Sequence, residues 1–198
     1  MEEIMKMSSL GNKRLKKYSK FLENIHLKHK GLLHLGTTTM RYFYFAELQI
    51  VNFENNLQIF FDIDNNVDYS EACYSNAFSF YTLIRVSLEA SRRLSDEIQK
   101  QDNRDTLKKF RSDNEKVIIN IIKIANDIVK HPLEDAKRNK IVFYEPGGLD
   151  ISGNVDIYEW STKDSTDVKT FDIDPIYHCD QIFEYLEKLS VVYLEALK

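Results

Sequence analysis

The sequence predicts a mainly α-helical protein, a helical bundle with a small antiparallel β meander inserted before its last helix. Three observations predict it. The 198 residues include only six Gly and three Pro, too few punctuating residues for many short strands and turns. Apolar residues recur at helical spacing through most of the first 130 positions. After Pro132 the pattern changes to short runs rich in β-branched and aromatic residues.

The elements follow in order. Leu15, Tyr18, Leu22 and Ile25 lie at i, i+3, i+7 and i+10, one face of an amphipathic helix that Gly31 is expected to end. "RYFYFAELQIVNFENNLQIFFDI" (41–63) does not alternate polar and apolar residues as a half-buried strand does, so a second helix is expected, with Leu48, Val51 and Phe60 facing inward. Asp68, three residues before Glu71, resembles a capping box for the next helix. That helix carries an apolar stripe of Ala77, Tyr81, Ile84 and Leu88. A polar break at 102–105 precedes a helix from about Thr106 to Lys130, lined by Leu107, Phe110, Val117, Ile121, Ile124 and Ile128. "KIVFYE", "NVDIYEW" and "VKTFDI" are expected strands, with "PGG" (146–148) as a turn. Pro175, favoured in a first helical turn, opens the last helix. The expected organisation is a basic N-terminal helix or arm over 1–36 and a helical domain over 37–198, with the β insertion at about 139–174.

With 43% hydrophobic and 29% charged residues, the chain reads as globular rather than disordered. Its two cysteines, Cys73 and Cys179, are too few for a disulfide framework and fit a reducing compartment. The N-terminus has no apolar signal-peptide core, and no apolar run approaches the roughly 20 residues of a membrane span. A cytoplasmic protein without membrane contact is expected. Residues 1–30 carry net charge +5 and the remainder −9. A basic arm bearing Lys13, Arg14, Lys16, Lys17 and Lys20 can meet RNA or an acidic partner; a solvated helix face explains the same residues.

The chemistry concentrates in "NDIVKHPLED" (126–135). A residue before proline is pushed out of the α region, so the helix should end near His131. Lys123, Asp127 and His131 fall at i, i+4 and i+8, on one face. Asp127 can then fix the imidazole tautomer, and a histidine so held is a general acid or base near neutral pH. Lys130 and Asn126, one turn apart, can offer donors to a phosphate. The plainer account is that polar residues of a last turn cap carbonyls and pair locally.

The long helix "FSFYTLIRVSLEASRRL", a second helix ending "IIKIANDIVKHP", a β insertion and a closing helix together resemble the HEPN superfamily (higher eukaryotes and prokaryotes nucleotide-binding domain) over residues 40–198. The resemblance implies a helical bundle that commonly dimerises. Many members are metal-independent ribonucleases of toxin–antitoxin, CRISPR or phage-defence systems. Their motif is an arginine, usually a polar residue next, then three residues and a histidine. The histidine matches His131 and the polar residue Asp127, but Asn126 stands at the arginine position. Neutral asparagine cannot supply the permanent charge and fixed fork that arginine offers a phosphate. Lys130 or Arg85 is a candidate substitute, although Arg85 has Glu89 at i+4 as an obvious partner. The resulting expectation is an RNA-associated, defence-type protein with weak or lost ribonuclease activity. It would act as a homodimer, with RNA or a cognate protein as partner. The alternative is a non-catalytic interaction module on the same fold.

Other signals are weaker. "DIDNNVDYSEAC" (62–73) has acidic spacing like a calcium loop, but Val67 stands where glycine is needed and Cys73 where a bidentate Glu is needed. His26, His29 and His34 cluster without a nearby cysteine, so no metal is expected. No phosphate-cradling glycine loop is present, and no cofactor is expected. Trp160 and Tyr158, flanking Glu159, are expected to pack rather than stack on bases.

Overall fold

The computed structural model describes residues 16–62, 67–101, 105–127, 142–161 and 168–198. The described chain is a mainly α-helical bundle with a three-stranded antiparallel sheet before the last helix. The helices are α1 (Lys16–Lys28), α2 (Lys30–Asp62), α3 (Val67–Gln101), α4 (Thr106–Ala125) and α5 (Pro175–Ala196). The strands β1 (Val142–Leu149), β2 (Val155–Ser161) and β3 (Lys169–Ile173) lie between α4 and α5, in the order β1-β2-β3.

Chain contacts divide into two compact units. The first comprises Met1–Tyr44, Val86–Asn120 and Asp180–Lys198. Its core is aromatic. Tyr18, Phe21 and Ile25 of α1 are fully buried, and the Phe21 ring stacks on Tyr193 of α5 at 4.5 Å. Ser87, Ser91 and Ser95 form a buried row at i, i+4 and i+8 on α3. Their small side chains admit close neighbours and satisfy buried polar atoms. The Ser87 hydroxyl donates to the Thr39 carbonyl at 2.7 Å. The Tyr193 hydroxyl sits 3.0 Å from the Ser91 carbonyl and 2.8 Å from the Ser95 hydroxyl. Burial of Tyr193 pushes its hydroxyl far above the ordinary phenol range, so it stays a neutral donor. Arg111, mostly buried, is held by Asp96 at 2.6 Å and Glu115 at 3.1 Å.

The second unit comprises Phe45–Arg85 and Ile121–Cys179. Here α2 and α3 are keyed by side-chain amides. Asn76 donates to Gln49 at 3.1 Å, and Asn56 donates to Asn76 at 3.0 Å. The sheet buries Val155, Ile157 and Ile173. The β1–β2 turn is fixed by Asp150, whose carboxylate accepts from the backbone of Ser152 and Asn154 and from the Asn154 amide. Gly153 in that turn has φ 89°, the left-handed region that favours glycine. An added Cβ would lie 3.0 Å from Ile176 and 3.2 Å from Phe53, so the turn also needs glycine for close packing.

Several expectations need correction. The first helix stops at Lys28, and Gly31 lies in the opening turn of α2 rather than at a C-cap. Within α2 the buried face is Phe43, Ala46, Ile50, Phe53 and Leu57. Leu48 and Phe60 are half-buried and Val51 is 46% exposed. Aromatic and aliphatic residues occur nearly all round this segment, so several faces could be drawn through it. Asp68 lies inside the first turn of α3 rather than before it. The "PGG" triplet is not the hairpin turn. It lies within β1, where the pairing shifts register between Pro146 and Gly148, because proline cannot continue the hydrogen-bond ladder. The α3 stripe of Ala77, Tyr81, Ile84 and Leu88 is buried as expected. On α4 the buried positions are Leu107, Ile118, Ile121 and Ala125; Phe110 and Ile124 are half-buried, and Ile128 lies outside the described residues.

Candidate functional site

The stretch singled out by sequence begins where α4 ends. Past Ala125 the backbone widens into π-type turns at Asn126 and Asp127. Turns of π type recur at functional sites. The side-chain oxygen of Asn126 is buried and has no hydrogen-bond partner among the described residues, an arrangement that is uncommon because desolvation is then uncompensated. Asp127 is half-buried and engaged. Lys130 and His131 lie outside the described residues, as do Lys13 and Arg14 of the basic segment. Lys16 and Lys17 belong to α1, and Lys20 is exposed on it. Lys123 is exposed on α4.

Arg85 departs from expectation. It is half-buried on α3, but Glu89 pairs with Arg93 instead, at 2.7 Å. The reason is directional. An acid four residues N-terminal to a base gives the better helix pair, which favours Glu89–Arg93 over Arg85–Glu89. Among the described residues Arg85 forms no ion pair. Arg85, Asn126 and Asp127 belong to the same compact unit.

A second polar cluster in that unit has no signature in the sequence. His178, in the second turn of α5, has its Nδ1 2.7 Å from the hydroxyl of Tyr81 on α3. The two rings meet edge to face at 5.9 Å. Burial raises the Tyr81 hydroxyl well above its ordinary range, so it remains protonated and donates, and Nδ1 accepts. The proton of neutral His178 is thereby assigned to Nε2. Burial lowers the His178 pKa, against a smaller opposing effect of Asp174. The partners are 97 residues apart, and Tyr81 sits in an apolar stripe. No local spacing could have paired them.

The sheet carries a further titrating pair. Asp156 and Asp172 are directly opposed on β2 and β3. The Asp156 carboxyl is raised above its ordinary value by desolvation, by a hydrogen bond with Asp172 and by that residue's charge. Trp160 and Tyr158 meet edge to face at 6.4 Å, and the Tyr158 ring covers Gly147, so both aromatic side chains have packing roles.

Two grooves lie in the first unit. The larger, about 780 Å³, runs between the start of α2 and the end of α3, lined by Leu32, Leu35, Arg93, Asp96, Glu97 and Lys100 among others. Its charges are met internally: Lys100 pairs with Glu97 at 2.6 Å and Asp96 with Arg111 at 2.6 Å. The smaller is an apolar notch at Leu22, Leu27 and Leu33. Neither holds a residue of the Asn126 stretch. His26, His29 and His34 are not gathered into a metal-holding group among the described residues. No helix among these residues is long and apolar enough to cross a membrane. No family model, no curated protein and no solved structure matches the chain.

Proposed function

We propose that this is a HEPN-like, RNA-associated protein of a defence or toxin–antitoxin type, with weak or lost ribonuclease activity. The observation that carries the reading is Arg85. A half-buried guanidinium without an acidic partner among the described residues retains its charge for a phosphate. The π turn at Asn126–Asp127, at the position of the family motif, supports the same reading. In this account His131 is the acid or base, Asp127 orients it, and Arg85 or Lys130 holds phosphate. Asn126 lacks the charge to stabilise the phosphorane-like transition state, which is why activity is weak. Lys13, Arg14, Lys16, Lys17 and Lys20 add sequence-independent attraction to the RNA backbone.

Asn126 also favours a second reading, a non-catalytic module that dimerises or holds a protein partner. RNA binding at graded salt, by wild type and Arg85→Ala, separates the two. The RNA reading expects binding that weakens with salt and falls about tenfold in the variant. Absence of RNA binding by folded wild type supports the interaction module.

A further inference from the structure

The Tyr81–His178 bond joins α3 to the beginning of α5, immediately after β3. That beginning is tightly built. The Asp174 carboxylate accepts the Tyr177 N–H at 2.8 Å, and the Asp174 carbonyl accepts the His178 N–H at 3.0 Å. Pro175 occupies the first helical position, so the chain turns from strand to helix within two residues. Ile173 and Cys179, on either side, are buried.

We propose that this bond is an acid-sensitive clasp: neutral His178 closes it, protonated His178 opens it, and opening loosens the strand-to-helix junction at 173–179. The chemistry is in the donor count. Nδ1 of neutral His178 has a lone pair for the Tyr81 hydroxyl. Protonated Nδ1 carries a hydrogen, so two donors then face each other. Tyr81 has no second acceptor among the described residues, and its side chain is fully buried. It therefore cannot turn its proton elsewhere without leaving it unsatisfied. Among the described residues, three titratable groups touch or act on His178. Tyr81 approaches from α3. Asp174 lies one turn back, at the junction with β3. Tyr177 lies beside it, ring to ring at 6.2 Å. Asp174 favours the imidazolium, but its carboxylate already caps the helix. Burial outweighs it, placing the His178 pKa below 6.5. The clasp is thus closed at neutral pH, and its contribution is lost as pH falls below 6.5 through the depressed value.

The test is amide hydrogen exchange at residues 177–179, corrected for intrinsic rates, from pH 7.5 to 4.5, with circular dichroism confirming the global fold at each pH. Wild type should lose protection at these amides by about tenfold as pH falls. Tyr81→Phe should show the reduced protection already at pH 7.5 and little further change. His178→Gln, whose amide oxygen can accept from Tyr81 without titrating, should stay protected throughout. Flat protection in wild type, or the same loss in His178→Gln, would overturn the proposal. The result is independent of whether the protein meets RNA.

Discussion

Single side chains carry sharply different burdens in this molecule. Gly153 combines a left-handed φ with close approach to Ile176 and Phe53. Gly153→Ala should cost about 1–2 kcal/mol, read as a lower urea midpoint with unchanged slope. The Asp156–Asp172 pair works against the fold at neutral pH. Because the folded pKa of Asp156 is raised, its favourable contribution exists at acid pH and disappears as pH rises through that value. Asp172→Asn should therefore stabilise the protein at pH 7. The gain should be small, up to about 0.5 kcal/mol, because these carboxylates are mostly solvated. It should shrink by pH 3.5; thermal melts at the two pH values check this. At this scale the sequence is only partly legible. Arg85 could be singled out as a charge in an apolar stretch, but its lack of an acidic partner among the described residues follows from Glu89 choosing Arg93. His178 could not be singled out, since its partner is defined only by packing.

Helices and strands were more legible, and the errors have common causes. The α3 stripe stands out because its polar and apolar faces separate cleanly. In α2 they do not, and the residue chosen as buried, Val51, is one step beyond the buried Ile50. The three strands were recognisable by β-branched and aromatic content, while "PGG" misled because a bulge and a turn draw on the same residues. Pro175 correctly marked α5, and Asp174 completes that start by capping it. Asp174→Ala should cost about 1 kcal/mol in urea unfolding, with the loss of the cap to the Tyr177 N–H. The serine row of α3 is a comparable device between helices. Tyr193→Phe would remove the hydroxyl's bonds to Ser91 and Ser95 at a cost of about 1 kcal/mol, because the Ser95 hydroxyl still donates to the Ser91 carbonyl at 3.0 Å.

At the scale of the whole molecule, the mainly helical architecture with its sheet before the last helix was predictable from the sequence, because periodicity and composition agree over long segments. The functional reading rests on fewer residues. In the proposed HEPN-like reading, Asn126 stands where the family motif has arginine, and the charge that would replace it has to come from elsewhere in the chain. Arg85 is on a different helix in the same compact unit, a relationship that spacing along the chain does not reveal. Asn126→Arg places a permanent cation at residue 126 and, under the HEPN-like reading, should strengthen catalysis only if His131 is a working acid or base. The most direct measurement is therefore cleavage of a mixed structured and single-stranded RNA pool in EDTA by wild type, Asn126→Arg, and Asn126→Arg combined with His131→Ala. Expected under the HEPN-like reading are slow or undetectable cutting by wild type, cutting at least about tenfold faster by Asn126→Arg, and none by the double variant. Folded protein in which Asn126→Arg neither binds nor cuts RNA, or cuts equally well without His131, would contradict it.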